Sequence, residues 1–249
     1  MLVAAATCPS PPLLVPEVAG GAAHEMDAAR AACDDALASL ADARPDRLVV
    51  IGPADQPARG THPQGARGSF RGYGVDLEVS LGKGEPPADG HALPSSLAVG
   101  AWLLGRAEWT EAPVEGLGVG EPLSRERCEE TGRQLAGSAE RVALLVMGDG
   151  TNCRTVKAPG YFDERATAFD AEAARALGSA DAAGLLALDE ELAYELNASG
   201  RSCWQVLAGA AGTAGAASAD GSRNGSGLRG RLRYEEAPYG VGYFVASWT

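Results

Sequence analysis

Two lysines, three histidines and four tryptophans are a thin supply of several functional residue types for a chain of 249 residues. The scarcity of Lys, with only Lys83 and Lys157, leaves Arg as almost the sole cation, and 21 basic residues face 33 acidic ones for a net charge of −12. Nucleic acid and anionic lipid both require clustered basic residues, so neither is an expected partner. No apolar run approaches the roughly 20 residues that span a bilayer. Five cysteines (Cys8, Cys33, Cys128, Cys153 and Cys203) are an odd number without CxxC spacing. That argues against a disulfide framework or a structural zinc site and for reduced, cytoplasmic thiols. The apolar start, Met1 to Thr7, has no basic region before it and meets Pro9, Pro11 and Pro12 too soon for a signal-peptide core.

The histidines restrict the chemistry further. His24 falls at a helix start, and His62 and His91 in loops rich in Gly and Pro, so none lies at the end of a core strand. No Gly-x-Ser-x-Gly elbow, dinucleotide glycine loop or phosphate-binding Gly-x-x-x-x-Gly-Lys-Thr occurs.

What is present is a regular alternation of apolar strands and Ala-rich helices. Leu2 to Ala6, Arg47 to Gly52 and Arg141 to Met147 read as buried strands, and Gly74 to Val79 and Ala112 to Val119 as further ones. Met26, Ala29, Ala32, Leu37 and Leu40 recur at helical spacing within Glu25 to Ala41. Helices are also predicted at Pro94 to Leu104, Ser124 to Leu135, Asp163 to Leu177, Ala180 to Leu186, Asp189 to Leu196 and Arg201 to Ala210, with Asp163, Ser179 and Asp189 as caps. Pro53 to Phe70 and Thr213 to Gly227 read as loops, and Leu228 to Tyr234 and Val241 to Ser247 as closing strands. Strand–helix–strand order requires crossovers, so the expected architecture is one three-layer α/β/α domain over residues 1–249. Its central sheet is mixed and mostly parallel.

Ligands of open α/β sheets bind outside the carboxyl ends of the strands. Three such ends carry unusual chemistry: Cys8-Pro-Ser10-Pro-Pro12, Pro53-Ala-Asp55-Gln56 and Gly148-Asp149-Gly-Thr151-Asn-Cys153. If the strands are neighbours, Ser10, Asp55 and Asp149 converge within about 15 Å. Asp149 and Cys153 are the catalytic candidates, the latter because Arg154 and Lys157 stand close to its thiol and cations favour the thiolate. Cys8, Ser10, Asp55, Thr151, Lys157, Tyr161 and Tyr239 are the ligand-contacting candidates. Each has a plainer reading: Asp149 and Asp55 as turn residues, Cys8 as a small buried hydrophobe, Asp163 as a helix cap, Trp204 as core.

The segment Thr7-Cys-Pro-Ser-Pro-Pro-Leu-Leu-Val-Pro16 resembles the N-terminal motif of the LigB-like superfamily, the group of the class III extradiol ring-cleavage dioxygenases. Asp46 to Gly52, the strand ending Met147-Gly-Asp-Gly150, and Ala237-Pro-Tyr-Gly-Val-Gly-Tyr-Phe-Val245 are similar to further parts of that family, the last to its actinobacterial members. The resemblance implies a metal site of two histidines and a carboxylate that holds Fe(II), with another histidine as acid/base. Carried over, the ligand histidines fall on Ser10 and about Asp55, the acid/base histidine near Asp149, and the carboxylate on Glu235 or Glu236. The implied function is therefore a LigB-like protein whose iron-binding histidines are replaced. It would be a binding or accessory protein, or an enzyme of altered chemistry that reuses the same cleft with Asp55, Asp149 and a thiol, Cys8 or Cys153. A carboxylate-rich site there would suit a hard cation such as Mg²⁺ or Mn²⁺. The alternative is a true extradiol dioxygenase acting on a catechol, with His62 replacing a ligand. No cofactor is assigned; the expected partners are a small molecule and a second copy of the chain.

Overall fold

A computed structural model describes residues 1–86, 91–212 and 227–249. The first strand, β1 (Leu2–Cys8), leads through a 3-10 turn at Pro12–Leu14 and a short helix, α1 (Pro16–Ala19), into a second 3-10 segment and helix α2 (Asp27–Asp42). Next come β2 (Arg47–Pro53), the short strands β3 (Gly60–His62), β4 (Arg67–Ser69) and β5 (Glu78–Ser80), and helix α3 (Ser95–Arg106). Strand β6 (Val114–Val119), helix α4 (Arg125–Ala136) and strand β7 (Val142–Met147) come next. Four helices follow, α5 (Ala166–Ser179), α6 (Ala182–Leu186), α7 (Glu190–Glu195) and α8 (Arg201–Gly212), and then β8 (Gly230–Glu236) and β9 (Tyr243–Trp248).

Seven strands form one sheet in the order β3-β6-β2-β7-β1-β9-β8, and β4 pairs β5 separately. The four central strands β6, β2, β7 and β1 are mutually parallel, while β3 and β9 run antiparallel to their neighbours. Helices cover both faces, as the expected three-layer α/β/α architecture requires. The sequence reason is visible in β2 and β7, which are apolar at every central position because both of their faces are covered. Val49, Ile51, Leu144 and Val146 pack on the side of α4, α5 and α8; Leu48, Val50, Ala143 and Leu145 pack on the side of α2 and α3. In β1 the register slips between Leu2 and Ala4, which puts Leu2 on the face of Ala5 rather than that of Ala4. Among the described residues no helix is long and apolar enough to cross a membrane.

Several boundaries differ from the sequence reading. The loop expected from Pro53 to Phe70 contains β3 and β4, and of the strand expected at Gly74 to Val79 only the end pairs, as part of β5. The loop predicted at Thr213 to Gly227 lies, but for Gly227, outside the described residues. Asp189 caps α7 by accepting the Leu192 amide at 2.8 Å, as its position predicts. Asp163 does not cap α5, which starts at Ala166; its carboxylate is engaged by the backbone and guanidinium of Arg165 instead. Asp181, not Ser179, caps α6, because Ala180 adopts a left-handed conformation (φ 53°) that moves the helix start by two residues.

Candidate functional site at the carboxyl ends of the parallel strands

The four parallel strands end along one edge, at Cys8, Pro53, Val119 and Met147. Here the chain leaving β1 is tied to the chain leaving β7. The Cys8 carbonyl accepts the Gly148 amide at 3.1 Å, and the Ser10 amide donates to Asp149 Oδ1 at 2.7 Å. The Asp149 carbonyl in turn accepts the Gly200 amide, and its own amide faces Ser199 Oγ, which brings the start of α8 to the same place. Gly148 is required for this approach: a Cβ there would lie 2.5 Å from Gly200 Cα.

Between these segments and the end of β2 lies a cleft of about 340 Å³ whose walls include Ser10, Asp55, Arg59, Ser96, Glu121 and Ser199. Ser96, at the start of α3, donates from Oγ to the Pro53 carbonyl at 2.7 Å, so α3 is fastened to the end of β2. A Cβ on Gly52 would meet that Oγ at 2.5 Å, which is why β2 carries glycine there. Glu121 is held by Arg201, a guanidinium only 1% exposed that also donates to the Leu123 carbonyl and to Gln205. Burial nevertheless pushes the Glu121 carboxyl up, against the opposing pull of Arg201.

Asp149 is the most perturbed carboxyl at this edge. Desolvation raises it to about 7, against the opposing effect of the Ser10 amide, so near neutrality it exchanges its proton rather than holding a fixed charge. It does not form the cleft wall but stands directly behind it, bonded to Ser10 and next to Ser199. On its other side is Tyr243, 3% exposed at the start of β9, whose phenol is raised by burial and then by the field of Asp149.

The structure thus brings Ser10 and Asp55 onto one cleft with Asp149 behind it, and it disperses the other candidates. Thr151 is fully buried, with its amide and hydroxyl both given to the buried carboxylate of Asp170 at 2.8 and 3.1 Å. Cys153 is 2% exposed, and its thiol is raised, not lowered, by burial and by Asp163 and Asp170. The cation expected to activate it, Arg154, pairs with Asp170 at 3.0 Å instead. Cys8 is fully buried against Cys33 of α2, on the sheet face away from α8. Lys157 and Tyr161 are exposed on the loop after β7, and the Tyr239 hydroxyl is closed off from solvent near Glu25.

Arg59, Ser96, Glu121 and Ser199 escaped the sequence reading. Ser95-Ser96 after Pro94 carried a helix-start signal, but nothing in the sequence indicated that this start opens on the site. Glu121 and Arg201 meet across 80 residues, a relation without a local pattern.

The donors an Fe(II) site of two histidines and a carboxylate needs are not assembled. His62 is buried on edge strand β3, with Nε2 2.9 Å from the Ala58 carbonyl, and His24 and His91 are exposed. Glu235 and Glu236 lie exposed on β8, two strands away from β1. Among the described residues no three His, Cys, Asp or Glu side chains gather in a metal-binding cluster. The residues present do not fit that iron centre.

No protein-family model matches the chain, and no curated protein is similar to it in sequence. Among solved structures, the chain is similar to an uncharacterized protein from Escherichia coli. The two share 15% identity over 98% of this chain and 99% of the other, with a TM-score of 0.57. At that identity the likeness concerns the fold.

Proposed function

We propose that this chain is a LigB-like protein that binds a small polar molecule in the cleft between the ends of β1 and β2, without a ring-cleaving iron centre. The observation that carries this reading is the junction of Ser10 and Asp149. Ser10 and Asp55, two of the positions where the family resemblance places iron-site histidines, face the cleft together, and neither is an imidazole. Asp149, behind Ser10 and poised near neutrality, supplies a proton-exchanging group without a metal. The net charge of −12 supports a small-molecule ligand over nucleic acid or anionic membrane. Five free, buried cysteines support a reducing, cytoplasmic setting.

The test is elemental analysis of protein purified without chelator or affinity-tag metal, oxygen uptake with simple catechols, and a thermal-shift panel of phenols, aromatic acids and polyols. Iron well below one equivalent, no oxygen uptake and at least one stabilising compound are expected. The stabilisation should be lost in Ser199→Phe, which fills the cleft. Stoichiometric iron with catechol-dependent oxygen consumption would replace this reading with that of a dioxygenase.

A further inference from the structure

We infer that the cleft contains a subsite for a carboxylate group, built from the Arg59 guanidinium, the first amides of α3 and the Ser10 hydroxyl; this rests on the reading of the cleft as a small-molecule site. Arg59 lies at the cleft with its Nε donating to the Ala54 carbonyl at 3.3 Å. Its guanidinium covers Gly120, where a Cβ would sit 2.6 Å from Cζ. The tether fixes the inner nitrogen and leaves the two terminal ones available, and Arg59 forms no ion pair among the described residues. A guanidinium tethered by one carbonyl and lying over a glycine, without an ion-pair partner, has its planar fork open to a carboxylate from a ligand.

The start of α3 adds a second donor set. This twelve-residue helix has no side-chain cap, and its first backbone bond runs from the Ala98 amide to the Pro94 carbonyl. The amides of Ser95, Ser96 and Leu97 precede that bond and find no acceptor among the described residues. Pro94, Ser95 and Ser96 all line the cleft, so the positive end of the helix dipole opens on it. Ser10 is independent of both. It is only 7% exposed, it lines the cleft, and although its amide is given to Asp149, its hydroxyl has no partner among the described residues. The Ser10 hydroxyl is open to the cleft and free to donate to, or accept from, a ligand atom.

The charge balance selects the size of the anion. Asp55 and Glu121 also line the cleft, and Glu121 is already neutralised by Arg201. The charges left at the cleft are therefore those of Arg59 and Asp55, which form no ion pair with each other, with a largely protonated Asp149 behind the wall below neutrality. Local charge near zero, supplemented by a helix N-terminus, suits a monoanion better than a phosphate dianion. A volume of about 340 Å³ accommodates a small organic acid.

Calorimetric titration of the full chain with benzoate, benzamide and inorganic phosphate at low salt, repeated with Arg59→Ala and Gly120→Ala, tests the subsite. Arg59 is exposed, so its removal does not threaten the fold. Benzoate should bind at least tenfold more tightly than benzamide, and both substitutions should erase most of that preference, the second by displacing the guanidinium. Equal binding of acid and amide, or an acid preference that survives Arg59→Ala, would overturn the subsite and leave the small-molecule reading standing. Phosphate binding more tightly than benzoate would overturn the choice of carboxylate. A cleft that takes a neutral panel compound but neither aromatic probe would also refute the subsite, whereas iron with catechol turnover would instead remove the underlying reading.

Discussion

The backbone amide of Ser10 and the carboxyl of Asp149, 139 residues apart in the chain, meet at 2.7 Å and join the ends of β1 and β7. One bond to the amide does not compensate for the desolvation of the carboxyl, which is why Asp149 titrates near 7.

That shift has a signature in stability. The folded protein keeps a proton on Asp149 that the unfolded chain releases near pH 4, so folding takes up a proton between about pH 4 and 7. The stability contributed by this site is complete below pH 4 and is lost as pH rises through 7. Asp149→Asn cannot titrate. Urea unfolding from pH 4.5 to 7.5 should show the parent losing stability relative to the variant, by about 1.4 kcal/mol per pH unit at the steepest. Parallel profiles for the two proteins would mean that Asp149 has an ordinary carboxyl.

Helices α4 and α8 touch through glycine. A Cβ on Gly132 would stand 2.5 Å from the Ala210 amide nitrogen, and one on Gly209 would stand 2.6 Å from Glu129 Cα. Backbone cannot yield as a side-chain tip can, so Gly132→Ala and Gly209→Ala should each cost about 1–3 kcal/mol in chemical denaturation. Gly105 of α3 has no neighbour within 4 Å of its would-be Cβ, and Gly105→Ala should be neutral or stabilising by about 0.4–1 kcal/mol. Equal effects at all three sites would disprove the close contact of α4 and α8.

All five cysteines are buried, and those with a resolved shift, Cys33, Cys128, Cys153 and Cys203, have thiols raised above the ordinary value. A thiol reagent such as a disulfide chromophore should therefore label the native protein roughly 100-fold or more slowly than the denatured chain. Rapid native labelling of Cys153 would restore it as a nucleophile candidate.

Much of the architecture could be read because burial on both faces leaves a continuous apolar imprint. Leu48 to Ile51 and Val142 to Met147 can hardly be anything but central strands. The short strands β3 and β4 were hidden because three residues of Gly-Thr-His or Arg-Gly-Ser carry no period, and only pairing across the sheet makes them strands.

The sequence alone determined the alternation of strands and helices, the charge balance, and the placing of Ser10, Asp55 and Asp149 at strand ends, since these depend on local pattern and the direction of parallel strands. Tertiary structure decided which of those residues share a cleft. It turned Thr151 inward to Asp170, gave Arg154 to that same carboxylate rather than to Cys153, and brought Arg59, Glu121 and Ser199 to the wall. The reason is physical: side-chain direction and desolvation depend on neighbours 16 to 139 residues away, and no local spacing encodes them.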